Sequence, residues 1–189
     1  MAASELTKKA INQAFLEILE KKPLDKITVR DITENCGINR NTFYYHYQDI
    51  PALLEGLLSQ KADEFVLEYP HLNSIDECIT AAMEFARSNK RVMMHIFNSG
   101  SHSNISSLWR ICEHVIRKYA DTVFADAPLS DSDKELFIRY HKCATFGLII
   151  DWMQHGMDEA YVDDMQRICQ LKRGSAELII ENALSLSER

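Results

Sequence analysis

The residues best suited to a chemical role lie together at positions 40–46, where polar and aromatic side chains follow one another closely. They are Arg40, Asn41, Thr42, Tyr44, Tyr45 and His46. Hydroxyl, amide and guanidinium groups donate hydrogen bonds to phosphate oxygens and base edges, and aromatic rings pack on sugars and thymine methyl groups. At about 100° per residue, a helix turns Phe43 and Tyr47 one way and Asn41, Thr42, Tyr44 and Tyr45 the other way. Arg40 and His46 flank that second arc. The segment is therefore predicted to contact DNA through one helix face.

The residues before this helix supply the signals for a helix-turn-helix. Thr28, with Asp31 three places on, is close to a capping box at the start of a first helix. Gly37 can adopt the positive φ at which that helix ends, and Asn39 can cap a second helix from Arg40. Two helices joined by a short turn with a glycine form a helix-turn-helix, whose second helix enters the major groove. In the alternative interpretation, the tyrosines are core residues of an ordinary helical domain.

The stretch resembles the DNA-binding domain of the TetR family of bacterial transcriptional regulators. The family pattern appears here as Thr28, Ile32-Thr33, Cys36-Gly37, Asn39-Arg40-Asn41 and Thr42-Phe43-Tyr44-Tyr45-His46-Tyr47. The match extends over about residues 5–58. It implies an all-α fold, in which an N-terminal three-helix head with the helix-turn-helix joins a larger helical C-terminal body that dimerises through a four-helix bundle. Many members carry Lys at the positions of Gln48 and Ile50, and this chain departs from the pattern there.

Charge is distributed unevenly between the two predicted domains, a helix-turn-helix DNA-binding domain at 1–48 and a helical ligand-binding and dimerisation domain at 49–189. The first holds seven Lys and Arg against six Asp and Glu, a net charge of +1, while the whole chain has −7. A head so weakly charged binds non-specific DNA weakly, because phosphate neutralisation supplies that affinity. Dimerisation and specific contacts must supply the rest, and the acidic body confines contact to the head.

Apolar spacing, caps and breakers predict helices along the rest of the chain. In the first, at 4–22, the apolar face is formed by Leu6, Ala10, Ala14, Phe15, Ile18 and Leu19. Further helices are predicted at about 49–68, 74–89, 91–98, 104–125, 130–155 and 159–187. Breaks are expected at Pro70, in a loop at 99–103, at Ala127-Pro128 and at 173–175.

Three residues outside the second helix are predicted to hold phosphates. Lys8 and Lys9 lie near the start of the first helix, where a neighbouring phosphate is within reach. A solvated lysine pair is the equally weighted alternative. Thr28 can offer its hydroxyl and a helix N-terminus to a phosphate.

Seven methionine and aromatic residues are predicted to bind a small apolar ligand, because methionine adapts to irregular shapes at binding surfaces. They are Phe65, Met83, Met93, Met94, Phe97, Trp109 and Phe146. Core filling is the alternative at any one of them. A second stretch, 145–153, is apolar together with Ala176, Leu178, Ile179, Ile180, Ala183 and Leu184 of the last helix. The resemblance implies that the last two helices pair with their twins in the bundle, with intrachain core as the alternative.

No catalytic residue, metal site or cofactor is predicted. The histidines and cysteines reproduce no recognised zinc pattern, and the sequence lacks a Gly-rich phosphate loop, an H-E-x-x-H motif and a nucleophile elbow. Five scattered cysteines fit reduced thiols in a cytosolic protein. The N-terminal residues lack a signal-peptide profile and no apolar run approaches a membrane span, so we expect a cytoplasmic protein with no membrane partner.

These features predict a sequence-specific regulator that binds a partly palindromic operator in double-stranded DNA as a homodimer. Arg40 and Asn41 are expected to read bases, and Tyr44 and His46 are expected to contact the DNA backbone. The resemblance implies a repressor that a small-molecule ligand releases. In the alternative, a TetR-like interaction protein keeps the fold but acts through a protein partner. Gln48, Ile50 and the acidic body favour that alternative.

Overall fold

The computed structural model describes residues 2–68, 75–99, 102–125, 129–172 and 174–187, and this part of the chain is helical with no strand. The predicted all-α class is confirmed. The α-helices are α1 (Ala2–Leu19), α2 (Val29–Cys36), α3 (Arg40–His46), α4 (Ile50–Glu68), α5 (Ile75–Ser88), α6 (Lys90–Phe97), α7 (His102–Val123), α8 (Asp131–Gln154), α9 (Glu159–Leu171) and α10 (Ser175–Ser187). One turn of 3-10 helix, Leu24–Lys26, lies between α1 and α2.

Local side-chain and backbone signals set several helix ends. The Ala52 amide donates to Asp49 Oδ1 over 2.8 Å at the start of α4. The Asp133 amide donates to Ser130 Oγ over 3.1 Å at the start of α8. After α8, Gly156 has a φ of +67°, which lets the chain leave the helix without the steric strain of a side chain.

Two sequence expectations are wrong in detail. Helix α7 begins at His102, so the loop predicted at 99–103 does not include its last two residues. Polar residues such as serine compete with the backbone for hydrogen bonds and are therefore disfavoured inside helices. They are tolerated in the first turn of α7, because the amides of a first turn have no partner within the helix. Leu6 is 68% exposed and Ala10 is also exposed, because the α1 residues of the core cluster lie between Ile11 and Leu19. The breaks predicted at Pro70 and Ala127-Pro128 lie outside the described residues.

The chain forms two compact units. The first comprises Met1–Lys61 and Asn89–Ser107, and the second comprises Ala62–Ser88 and Leu108–Arg189. In the first unit, α6 packs on α1, and His95 Nδ1–H donates to the Leu19 carbonyl oxygen over 2.6 Å. These units describe packing, and the functional division at 48/49 stays a prediction. None of the described helices is both long and apolar enough to cross a membrane.

Candidate DNA-binding site

The start of α2 is fixed by a capping box between Thr28 and Asp31. The Asp31 amide donates to Thr28 Oγ1 over 3.2 Å, and the Thr28 amide donates to Asp31 Oδ2 over 2.7 Å. These bonds satisfy amides that a helix N-terminus otherwise leaves unpaired. On the inner face of α2, Ile32 is fully buried, with Val29 and Cys36 packed against the same cluster. The capping box and the inner face are therefore confirmed.

The turn between α2 and α3 sets the direction in which α3 leaves. Gly37 has a φ of +69° and ends α2 in the left-handed region, where glycine avoids the strain that a side chain would meet. Asn39 then caps α3, since its Oδ1 accepts from the Thr42 amide at 2.8 Å and from Thr42 Oγ1 at 3.1 Å. The helix-turn-helix predicted from these residues is present.

The inner side of α3 is anchored by two aromatic residues. Phe43 is fully buried in the core of the first unit, and Tyr47, directly after the helix, is 7% exposed. Their ring centroids lie 6.1 Å apart, and the Tyr44 ring meets Phe43 edge-on at 5.5 Å. Because α3 has only seven residues, this anchoring rather than its own length holds it helical.

The outer side of α3 presents the predicted recognition residues to solvent. Tyr45 is 80% exposed and Tyr44 is 54% exposed, and Arg40 and Asn41 are exposed as well. The remaining two, Thr42 and His46, are half-buried. The outward orientation is confirmed for the first four, and their contact with DNA stays a prediction.

A partly buried hydrogen-bond chain that the sequence analysis missed ties the end of α3 to two other helices. The Tyr47 hydroxyl donates to Asn12 Oδ1 over 2.7 Å, and Asn12 Nδ2 donates to Gln60 Oε1 over 3.2 Å. Burial raises the pKa of the Tyr47 phenol above its ordinary value, so the hydroxyl stays protonated and able to donate. Asn12 is 8% exposed and directly follows the buried Ile11, and this polar residue on an apolar face was the available signal.

Replacing Tyr47 with Phe is expected to destabilise the protein by about 1–2 kcal/mol, because it leaves the buried Asn12 Oδ1 without a donor. The free energy of unfolding in urea measures the loss. Tyr45→Phe removes the same hydroxyl from a ring that is 80% exposed and should change stability by less than about 0.5 kcal/mol. Equal effects of the two substitutions would contradict this role for Tyr47.

The three predicted phosphate contacts differ in their surroundings. Lys8 and Lys9 are exposed on α1, and Lys8 Nζ lies 6.0 Å from the centroid of the Tyr47 ring, which is near the end of α3. The Thr28 hydroxyl is already used, because it donates to Asp31 Oδ2 over 2.7 Å as well as accepting from the Asp31 amide. A phosphate at Thr28 would have to displace that donation and approach a carboxylate, so the lysines are the better supported of the three.

The Asp31 carboxylate also accepts a hydrogen bond from Lys22 Nζ at 2.8 Å, which forms an ion pair. The Lys22 ammonium, followed by the Thr28 hydroxyl and amide, lowers the pKa of Asp31 from 3.8 to about 2. A folded-state pKa below the unfolded value stabilises the protein above the unfolded pKa, and this stabilisation is lost as pH falls through the folded pKa. The carboxylate therefore supports the start of α2 at every pH above about 4.

Asp31→Asn is expected to lower the unfolding free energy at neutral pH by about 1 kcal/mol, the usual contribution of a helix cap. Solvent screening limits the ion-pair contribution, because the side chain is 35% exposed. The difference from the unsubstituted protein should shrink as pH falls from 3.8 to about 2, where the Asp31 carboxyl becomes protonated. Urea unfolding over this pH series measures it. A difference that stays constant with pH would contradict the assignment.

The residues predicted to bind a ligand are divided between the two units. Met93, Met94 and Phe97 lie on α6 in the first unit, and all three are half-buried. Phe65, Met83, Trp109 and Phe146 belong to the second unit, where the first two are buried and the other two half-buried. The Trp109 and Phe146 rings meet edge-to-face at 5.0 Å, while Phe65 packs against Phe85 and Tyr119. Among the described residues, no group of three or more His, Cys, Asp and Glu side chains could hold a metal ion.

The predicted dimer helices carry exposed apolar residues, but not all where the sequence suggested. Thr145, Trp152 and Met153 are buried within the single chain, so they cannot form a free face. On α8, Leu136 is 57% and Tyr140 63% exposed, and the exposed row continues through residues 143, 144 and 147 at helical spacing. The exposed apolar residues of α10 are Leu178, Ile179, Leu184 and Leu186. The side chain of Ala176 lies outside the described residues.

Two family profiles match the chain. Residues 11–57 match the profile described as bacterial regulatory proteins, tetR family. Residues 73–174, more than half of the chain, match TetR_C_8, described as a transcriptional regulator C-terminal region. The first match contains the whole helix-turn-helix described above.

The curated relatives include two uncharacterized HTH-type transcriptional regulators of Bacillus subtilis. YxbF is 38% identical over 61 residues, which are 32% of this chain and 16% of YxbF. YvdT is 36% identical over 58 residues, which are 29% of this chain and 30% of YvdT. The matched segment therefore spans less than a third of either relative.

Solved structures share the fold over most of the chain. The TetR family repressor AlkX from a Dietzia strain has a TM-score of 0.59 at 13% identity, covering 92% of this chain and 96% of AlkX. The dihydroxyacetone kinase operon activator DhaS has a TM-score of 0.55 at 18% identity, covering 94% of this chain and 96% of DhaS. Salmonella enterica GusR has a TM-score of 0.56 at 13% identity, covering 86% of this chain and 93% of GusR. Identities this low show similarity of fold alone.

Proposed function

We propose that this chain, which belongs to the TetR family of bacterial regulatory proteins, is a cytoplasmic homodimer that binds a partly palindromic operator through α3 and acts as a repressor released by a small-molecule ligand. The observation that carries the proposal is the outer side of α3. Four of its residues are exposed on a helix whose other side is fixed in a core. A helix that displays donors on a rigid support suits direct reading of base edges.

The chemistry of the α3 residues suggests a division of roles. Arg40 and Asn41, in the first turn of α3, form bidentate hydrogen bonds with guanine and adenine respectively in the major groove. Tyr44 and His46 donate to phosphates, and Tyr45 packs against a sugar or a thymine methyl group. Lys8 and Lys9 add phosphate contacts from α1. These roles would fix both the position and the sequence preference of the protein on DNA.

Dimerisation is supported by the exposed apolar residues of α8 and α10. Leu136 and Tyr140 on α8 and Leu178 on α10 are each more than half exposed in the single chain. A two-fold bundle of α8, α10 and their partner copies would cover all of them in one self-complementary interface. In such a dimer, the two α3 helices would read half-sites about 34–36 Å apart on one face of the duplex.

Repression follows if the bound dimer blocks polymerase, and ligand binding in residues 49–189 would then release it. A coupling free energy of about 1–3 kcal/mol between ligand and DNA is enough for such a switch. Among the structures of similar fold, AlkX is described as a repressor and DhaS as an activator, so repression is the part of the proposal to measure directly. A reporter gene under the control of the upstream DNA, with and without this chain, measures the sign.

A gel shift with the DNA upstream of the chain's own gene tests the proposal. We expect a retarded band at moderate salt, competed by unlabelled upstream DNA and not by unrelated duplex. The combined Arg40→Ala and Tyr44→Phe substitutions should abolish it while the far-UV circular dichroism spectrum is unchanged. Retardation that survives both changes would show that α3 is not the DNA contact.

A second candidate, an interaction protein that keeps the fold but acts through a protein partner, is favoured by one observation. The resemblance to the family implies a phosphate-holding Lys at one of two positions, but Gln48 and Ile50 stand there and neither is basic. Ile50 packs instead against the core of the first unit. Failure of the folded dimer to bind any duplex at low salt would favour this candidate, because low salt strengthens every phosphate contact.

A further inference from the structure

We propose that the second unit binds a small aromatic anion at five side chains on α7 and α8, here called the Lys142 group. Its members are Trp109, Glu113, Lys142, Thr145 and Phe146. The inference rests on the proposed function only in making this anion the regulatory ligand. It adds a polar end to two of the aromatic residues, Trp109 and Phe146, that the sequence suggested for an apolar ligand.

Lys142 is the centre of the group. Its Nζ lies 4.4 Å from the centroid of the Trp109 ring and 2.8 Å from Glu113 Oε2. The Lys142 side chain is only 14% exposed, whereas Trp109 and Phe146 are half-buried. The mostly buried Lys142 side chain therefore places its ammonium beside aromatic rings that solvent still reaches. In such surroundings its attraction for an anion is stronger than at an open surface.

A second cation allows Lys142 to change partners. Arg117 Nη2 lies 3.3 Å from Glu113 Oε1, and Arg117 also pairs with Glu135. Lys142 and Arg117 together hold the pKa of the Glu113 carboxyl below its usual range, so Glu113 stays charged. An anion can thus take the place of Glu113 at Lys142 while Glu113 keeps Arg117. No buried charge is left without a partner in this exchange.

The same reasoning excludes a cationic ligand. A cation that took Glu113 would separate it from Lys142 and leave Lys142, the less exposed of the two side chains, without a carboxylate. An unpaired charge in a mostly buried position is unfavourable. The group therefore selects an anion, because Lys142 can exchange Glu113 for it while Glu113 keeps Arg117 as a partner.

Thr145 supplies a further polar group close to Lys142. It lies three positions after Lys142 on α8, and residues at this spacing are neighbours on a helix surface. Thr145 is 5% exposed, and its Oγ1 is the one buried side-chain oxygen or nitrogen of the described residues that lacks a hydrogen-bond partner. A buried hydroxyl without a partner is unusual and calls for one. A ligand carboxylate shared between Lys142 and Thr145 would supply it.

The test is a fluorescence titration of the full chain with three probes of one shape and different charge: benzoate, benzamide and benzylamine. The chain has two tryptophans. Trp152 is fully buried with its indole N–H bonded to the Asp158 carbonyl oxygen, so a ligand at Lys142 should act on Trp109. We expect saturable quenching by benzoate, at least about tenfold weaker binding of the other two probes, and no signal in Trp109→Phe.

Two substitutions of the paired charges should act in opposite directions. Lys142→Met keeps the apolar stem and should weaken benzoate binding by about tenfold or more. Glu113→Gln removes the carboxylate that competes with benzoate for Lys142 and should tighten benzoate binding. A purely structural ion pair would make both variants less stable and shift neither affinity in this way. If Lys142→Met fails to fold, the Glu113→Gln result still decides.

Three results would overturn the inference: no saturable quenching by benzoate, equal binding of benzamide, or stronger binding of benzylamine. The gel shift with upstream DNA, run on the same preparation, separates this failure from failure of the proposed function. If the protein binds DNA but not benzoate, only the anion site at the Lys142 group is contradicted. If the protein binds benzoate but not DNA, the anion site at the Lys142 group stands and the proposed regulatory function is contradicted.

Discussion

Arg40→Ala is expected to weaken specific operator binding by about 2–6 kcal/mol, because each of two protomers loses a base contact of about 1–3 kcal/mol. Its free energy of unfolding should stay within about 0.5 kcal/mol of the unsubstituted protein, since Arg40 is exposed. Binding to unrelated duplex should fall much less, because it depends on phosphate neutralisation. Fluorescence anisotropy with labelled operator and labelled unrelated DNA measures both quantities.

Arg30→Ala is the matched control for Arg40. It removes the same charge from the same helix-turn-helix, but Arg30 is on α2 and pairs with Glu34 over 2.7 Å. We expect a small loss that is equal for operator and unrelated DNA. If the two arginine variants lost operator affinity equally, Arg40 would contribute charge and not base recognition, and the role proposed for α3 would be wrong.

Replacing Leu136 and Tyr140 together with Glu is expected to convert the proposed homodimer into a monomer. The two residues lie one turn apart on α8 and are 57% and 63% exposed in the single chain. A two-fold interface would bring four new carboxylates together and bury them without partners, raising the dimer dissociation constant by more than about a thousandfold. Sedimentation velocity at micromolar concentration measures the change. Operator binding should fall with it, because a monomer contacts one half-site.

Gln166→Glu serves as the control for the α8 variant. Gln166 is exposed on α9, so its change adds a carboxylate to the same unit outside the proposed interface. We expect this variant to remain a dimer with unchanged operator affinity. A protein that stays dimeric with Glu at both 136 and 140 would place the two-fold interface elsewhere.

The exposed side of α3 was predictable because its signals are local. The Thr28–Asp31 box, the positive φ of Gly37 and the Asn39 cap each involve residues within three positions of one another or a single backbone angle. The burial of Phe43 against the exposure of Tyr45 follows from helical periodicity alone. Local chemistry therefore determines where α3 begins and which side it exposes.

The parts that sequence reasoning missed depend on residues that are distant in the chain. Asn12 contacts Tyr47 and Gln60, which lie 35 and 48 positions away, so no local pattern indicates the pair. Lys142 and Glu113 are 29 positions apart, and a search for apolar ligand residues passes over both. Leu6 shares the apolar spacing of α1 but is 68% exposed, because periodicity shows which side of a helix is apolar and not how far along the helix its neighbours extend.

Selection of duplexes from a random-sequence library by the full chain tests the reading of DNA by α3 most directly, because the library contains every candidate operator. We expect enrichment of one partly palindromic sequence, whose half-sites lie on one face of the duplex, and loss of that enrichment with Arg40→Ala. A folded chain that enriches no sequence at low salt, or an unchanged enriched sequence with Arg40→Ala, would contradict base recognition by this helix.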